Sequence, residues 1–168
     1  GTRASRLALV QAHFVRDALS ALVPDRDFEL VEIHTTGDHI LDVPLAKIGD
    51  KGLFTKEIDN AMLAGQIDLA VHSLKDLPSR LEPGIELASV PAREGPWDAW
   101  VSGAHARLED VPAGGTVLTG SQRRRSQLLA WRPDLDVQDL RGNVQTRLGR
   151  VLDRADMDAV VLAQAGLD

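Results

Sequence analysis

The 168-residue chain contains no cysteine and no tyrosine, only two methionines, and aromatic residues at 4%. Without cysteine there is no disulfide framework, no thiolate metal site and no thiol nucleophile, which fits a reducing compartment. Long apolar runs are missing too. Residues 159–163 form one of the longest, far below the about 20 residues a membrane helix needs. No charged region followed by an apolar one precedes the first helical pattern, and residue 1 is Gly; the chain is expected to lack a secretory signal and to be an excerpt. His13, His34, His39, His72 and His105 show no metal-ligand spacing, so no metal site is expected. Neither a Walker A nor a GxGxxG pattern occurs. The scarce aromatics leave bases little to stack on, so Trp97, Trp100 and Trp131 are read as packing residues and no nucleic-acid partner is expected.

What is present is the composition of a globular protein: 43% hydrophobic and 26% charged residues, with a net charge of −6. A chain of this size buries roughly two thirds of its unfolded surface, enough for one good core or two small ones. The charge is unevenly spread. Between Thr119 and Arg150 seven arginines (Arg123, Arg124, Arg125, Arg132, Arg141, Arg147, Arg150) face three aspartates, a local excess of +4 that leaves −10 for the remainder. A basic patch inside an acidic protein points to a confined anionic ligand. The same arginines also fit a solvated helix surface.

Apolar residues at Leu7, Val10, Phe14, Ala18 and Leu22 share one helical face and predict a helix over 6–22. Strand patterns follow at 28–33, 69–71, 85–90, 99–101, 116–118, 137–140 and 159–162, and helices at 54–63, 122–131 and 144–152. The turn-rich run after Val90 is the candidate crossing between domains. This alternation predicts an α/β fold with mixed, largely parallel sheets, whose ligands sit beyond the carboxyl ends of strands.

The chemistry-bearing residues fall at those ends. Thr119, Gly120 and Ser121 follow one strand and open a helix bearing Arg123 and Arg124; Arg141, Gly142 and Asn143 repeat the arrangement, with Arg147 one turn on. Helix N-termini attract anions, and arginine forks match carboxylates bidentately, so the pattern suits a ligand with several carboxylates. Lys75 and Asp76 follow the predicted strand 69–71. The carboxylate can act as acid or base or balance a cation, and it equally fits a surface pair capping a turn before Pro78. Lys47 and Lys51, among glycines ahead of a helix, form either a mobile lid or a solvated loop.

Taken together these stretches resemble the porphobilinogen deaminase (hydroxymethylbilane synthase) family from end to end. The resemblance is carried by Thr2-Arg3-Ala4-Ser5-Arg6-Leu7-Ala8-Leu9, Thr36-Gly37-Asp38, Lys51-Gly52-Leu53-Phe54 and Asp68-Leu69-Ala70-Val71-His72-Ser73-Leu74-Lys75-Asp76-Leu77-Pro78. It continues through Arg123-Arg124, Arg132-Pro133-Asp134-Leu135 and Leu140-Arg141-Gly142-Asn143-Val144 with Thr146-Arg147. It implies an enzyme of tetrapyrrole (haem) biosynthesis that joins four porphobilinogen units head to tail, releasing ammonia each time, on a dipyrromethane primer bound to a cysteine. Two periplasmic-binding-protein-like lobes with a ligand cleft between them are implied, over 1–91 and 97–168 with a crossing at 92–96, the second lobe being incomplete. Asp76 matches the catalytic carboxylate. Arg3, Ser5, Lys75, Thr119, Ser121, Arg123, Arg124, Arg141 and Arg147 match binders of cofactor and substrate carboxylates. The family's members imply a cytoplasmic monomer with no membrane partner.

The chain departs from the family in three places. The primer-bearing cysteine lies in a third domain beyond residue 168, so these residues alone are expected not to turn over. Leu118-Thr119-Gly120-Ser121-Gln122 stands where a Gly-Thr-Ser-Ser-like run is usual, removing one hydroxyl, and Gly95-Pro96-Trp97-Asp98 alters the crossing. Two other readings stay open: a two-lobed binding protein for a polycarboxylate, and a non-catalytic remnant of the family.

Overall fold

A computed structural model describes residues 1–39, 52–153 and 156–167. The chain divides into two compact units, Gly1–Ala92 and Arg93–Asp168. Each is mixed α/β, and the strands are largely parallel.

In the first unit, β1 (Thr2–Arg3) pairs in parallel with β2 (Glu32–Ile33), Arg3 opposite Ile33. Parallel neighbours need a crossover, and α1 (Arg6–Leu22) supplies it. Its start is set by Ser5, whose hydroxyl accepts from Ala8 N. The short helix α2 (Thr36–His39) follows. Then comes α3 (Lys56–Leu63), which ends where Gly65 (φ +69°) lets its N–H reach Met62 O while Gln66 N reaches Ala61 O. That double bond pattern satisfies the last carbonyls of the helix. Among the described residues its core cluster is Ile58, Ala61 and Ile67, with Ile33, Met62 and Ala70 packed against them.

Several expectations for this unit are corrected. The predicted strand 28–33 is reduced to its last two residues. Residues 69–71 form no strand, and Leu69 is 46% exposed. They run beside the N-terminus through Gly1 N to Leu69 O (2.6 Å) and Val71 N to Gly1 O (3.0 Å), pairing on one edge only. Residues 85–90 stay irregular and mostly exposed. The α1 stripe is not a core face as a whole, since Val10, Phe14 and Leu22 are exposed and Ala12 is the buried residue.

The second unit is built on a four-stranded sheet of order β3-β6-β4-β5. It comprises β3 (Asp98–Val101), β4 (Thr116–Leu118), β5 (Asp136–Gln138) and β6 (Ala159–Ala163), with β4, β5 and β6 parallel and β3 antiparallel at the edge. The crossovers are α4 (Gln122–Trp131) and α5 (Val144–Leu152). Period-two alternation sends Val117, Val137 and Val161 to one face, where Leu128 and Leu129 of α4 cover them. Leu118, Val160 and Leu162 go to the other, against Val144, Leu148 and Val151 of α5. Each such side chain contributes about 1.5–3 kcal/mol on burial. The helices thus leave the carboxyl ends of the neighbours β4 and β5 toward opposite faces, the arrangement that opens a crevice beyond those ends. Of the tryptophans only Trp100 packs; Trp97 and Trp131 are each 68% exposed, contrary to the packing reading.

Candidate functional site

In the first unit the chemistry gathers around Arg3, at the end of β1. Its Nε donates to Asp38 Oδ1 (3.2 Å) and its Nη2 also bonds that oxygen; its Nη1 reaches Asp76 Oδ2 at 3.4 Å. The guanidinium lies 4.2 Å from the centroid of the Phe54 ring, which shields it on one face. Asp38 is itself held by Thr35, through N (3.3 Å) and Oγ1 (2.8 Å). Burial pushes the Asp38 carboxyl up, but hydrogen bonds from Arg3 and Thr35 and the Arg3 charge outweigh it, and the group sits below its ordinary value. Asp76 differs. Placed on the 3-10 turn Leu74–Asp76, its side chain is 19% exposed and, among the described residues, makes one long polar contact, from Oδ2 to Arg3. A carboxylate so lightly engaged keeps acceptor capacity for a ligand.

Beside it, burial pushes the His72 pKa below 6.5, opposed by Asp59 and Asp76 and assisted by Arg3 and the N-terminus. Its Nε2 is buried without a hydrogen-bond partner. Ser73 Oγ donates to Gln11 Oε1 (2.7 Å), tying the turn to α1. Lys75 is exposed on the same turn.

In the second unit the site is the pair of strand-to-helix turns. Thr119 is buried and continues the ladder through N to Gln138 O (3.0 Å), while its Oγ1 accepts from Ser121 N (3.3 Å). Ser121 caps α4, accepting from Arg124 N (3.4 Å). Asn143 caps α5, its Oδ1 accepting from the N and Oγ1 of Thr146, each at 2.9 Å. Gly120 passes so close to the second turn that a Cβ there would stand 2.5 Å from Leu140 O.

Between these turns arginines converge. Arg147 Nε donates to Gly142 O (2.8 Å), and its pKa is pushed down by burial and then by the charges of Arg124 and Arg141. Arg124 is 14% exposed, bonds Asp98 Oδ1 through Nη2 (2.6 Å), and carries a buried Nε with no partner. Positive charge packed this tightly is an anion-binding field.

Of the seven arginines read as one patch, the structure brings Arg124, Arg141 and Arg147 together. Arg123 lies exposed on the first turn of α4. Arg125 turns to the Val137 carbonyl, and Arg132 is consumed by Asp134 and the carbonyls of Leu108 and Val111. Ser5 Oγ, like that of Ser121, accepts a helix-capping bond, here from Ala8 N (3.4 Å). Lys47 and Lys51, the expected lid, lie outside the described residues. Asp38, Phe54 and Asp98 escaped the sequence reading of the site; Thr36-Gly37-Asp38 was a visible motif, but its pairing with Arg3 spans 35 positions. Among the described residues no cluster of side chains suits a metal ion, and no helix is long and apolar enough to cross a membrane.

A profile of the family described as "Porphobilinogen deaminase, dipyromethane cofactor binding domain" matches residues 1–168. The chain belongs to the porphobilinogen deaminase family. It is 58% identical over 167 residues to the porphobilinogen deaminase of Desulforudis audaxviator, 53% to that of Syntrophomonas wolfei and 55% to that of Syntrophotalea carbinolica. Each comparison covers 99% of this chain but only 53–54% of the relative. The chain spans about half the length of the curated relatives it matches. As a porphobilinogen deaminase domain it carries no cysteine to which a cofactor could be attached.

Proposed function

We propose that the protein to which these residues belong assembles porphobilinogen head to tail into hydroxymethylbilane on a dipyrromethane cofactor. The carrying observation is Asp76: a partly buried carboxylate, 3.4 Å through Oδ2 from Arg3 and so lightly engaged, in a chain matched by the family over its whole length. On this reading the units act as lobes of the periplasmic-binding-protein kind, 1–91 and 97–168 joined by 92–96, and both contribute to ligand binding.

The residues present fit the cofactor. Dipyrromethane carries acetate and propionate carboxylates, and Arg124 has a buried donor without a partner while Arg147 is depressed by neighbouring cations. Arg124, Arg141 and Arg147, with the capped turns at Thr119-Gly120-Ser121 and Arg141-Gly142-Asn143, are the residues that would hold those carboxylates, joined by Arg3, Arg123 and Lys75. When bound, dipyrromethane supplies the pyrrole end from which the product grows. Asp76 works on the substrate. The carbon–nitrogen bond of the aminomethyl group breaks, ammonia leaves, and a methylene-pyrrole cation remains; an adjacent carboxylate that accepts the pyrrole N–H balances that charge. The same group takes the proton released when the next carbon–carbon bond forms. Arg3, stacked on Phe54 and clamped by Asp38, places a positive charge 3.4 Å from Asp76 Oδ2.

The test compares porphobilinogen consumption by the complete reading frame, its Asp76→Asn variant and the 168-residue chain. Asp76→Asn should lower turnover by about 10²- to 10⁴-fold while porphobilinogen affinity changes little, and the 168-residue chain should be inactive. A complete protein that consumes no porphobilinogen would overturn the reading in favour of a binding protein.

A further inference from the structure

We infer that Asp98 is a positioning residue for anion binding, acting only through Arg124; this rests on the ligand reading given above. Asp98 opens β3, with its place fixed on both sides. It stands opposite Ala163 of β6, and the preceding carbonyl, of Trp97, accepts from Gln164 N (3.0 Å). A carboxylate rooted in a sheet is a fixed point. Arg124, by contrast, hangs on a four-bond stem from the first turn of α4, with a charged neighbour in Arg147 that repels it.

Left alone, a long cation facing others swings toward water, where its charge is solvated. The structure shows the opposite: Arg124 is folded inward, with Nη2 2.6 Å from Asp98 Oδ1. Asp98 is the carboxylate that holds it there. The contact is through a single carboxylate oxygen, so the pair is incomplete. Nε remains buried and unpartnered, a state that costs free energy and that a ligand carboxylate relieves. Asp98 thereby keeps the guanidinium turned inward without saturating it. The side chain itself is not placed in contact with a reacting group, and its effect belongs in affinity rather than chemistry.

The experiment uses the complete reading frame, with Asp98→Asn, Asp98→Glu, Arg124→Gln and the double variant Asp98→Asn/Arg124→Gln. Two readouts are taken: KM and kcat for porphobilinogen, and calorimetric affinity for 1,2,4,5-benzenetetracarboxylate, a polycarboxylate probe that needs no turnover. Asp98→Asn should weaken the probe and raise KM by about tenfold, the middle of the range for coupled neighbours, with kcat within about twofold. Asp98→Glu should recover most of the loss. In the Arg124→Gln background Asp98→Asn should add nothing further. Equal probe affinity in wild type and Asp98→Asn, additive losses in the double variant, a fall confined to kcat, or a wild type that does not bind the probe would each overturn the inference. A wild type that binds the probe, responds to Asp98→Asn as stated and yet leaves porphobilinogen untouched would sink the proposed reaction while upholding the role of Asp98.

Discussion

Arg3 is the residue on which the first unit's chemistry turns. One guanidinium is shared between Asp38, which binds it tightly, and Asp76, which it barely touches. That asymmetry is useful, because an aspartate bound as firmly as Asp38 would have little left for a substrate. Replacing Asp38 by Asn should release Arg3 and lower unfolding free energy by about 2 kcal/mol, the scale of hydrogen bonds to charged groups, as read by urea denaturation. It should also flatten the acid limb. A carboxyl lowered by folding stabilises the protein above its unfolded value, 3.8 for Asp38, and loses that contribution as pH falls through the folded value. His72 acts in the opposite pH direction from an ion-paired histidine. Its folded pKa is depressed, so between that value and 6.5 the unfolded chain binds the extra proton and stability rises with pH. His72→Gln should remove this slope from urea midpoints measured across that window.

At the scale of elements, the two turns of the second unit are held by caps and by close approach. Asn143→Ala removes the acceptor for Thr146 N and should cost about 1 kcal/mol, visible as a lower thermal midpoint. Gly120→Ala tests the approach itself. Its Cβ would stand 2.5 Å from a backbone carbonyl, Leu140 O, which cannot swing aside as a flexible side chain does, and 3.8 Å from Arg147 Nη1. The two turns would have to separate, at about 1–3 kcal/mol, and polycarboxylate affinity should fall with stability. A variant of wild-type stability and affinity would show that the turns part freely.

Across the whole molecule the units differ in how they are held. The second has a sheet covered on both faces, with Val117 and Val160 fully buried, whereas among the described residues the first has two-residue strands and a core cluster of three buried residues. Amide exchange of the 168-residue chain should therefore be slowest in β4 and β6 and markedly faster in β1 and β2; equal protection would contradict this account of the cores.

The helices were legible locally: 6–22, 122–131 and 144–152 are formed as read, because a helix makes its own hydrogen bonds within one segment. Strands were less legible. The patterns at 69–71 and 85–90 are apolar enough, but among the described residues 69–71 bonds only to Gly1 and 85–90 lies in no sheet, and a strand exists only where another completes its ladder. The site divides along the same line. Sequence placed arginines and glycines at helix starts and excluded thiol chemistry, since residue type and local spacing suffice for both. It could not tell Arg124 and Arg147, which face one another, from Arg125 and Arg132, which bond backbone carbonyls instead. Nor could it pair Arg3 with Asp38 and Asp76, or Arg124 with Asp98. Those pairings join residues from 26 to 73 positions apart, and only the packing of strands and helices brings such distant charges within reach.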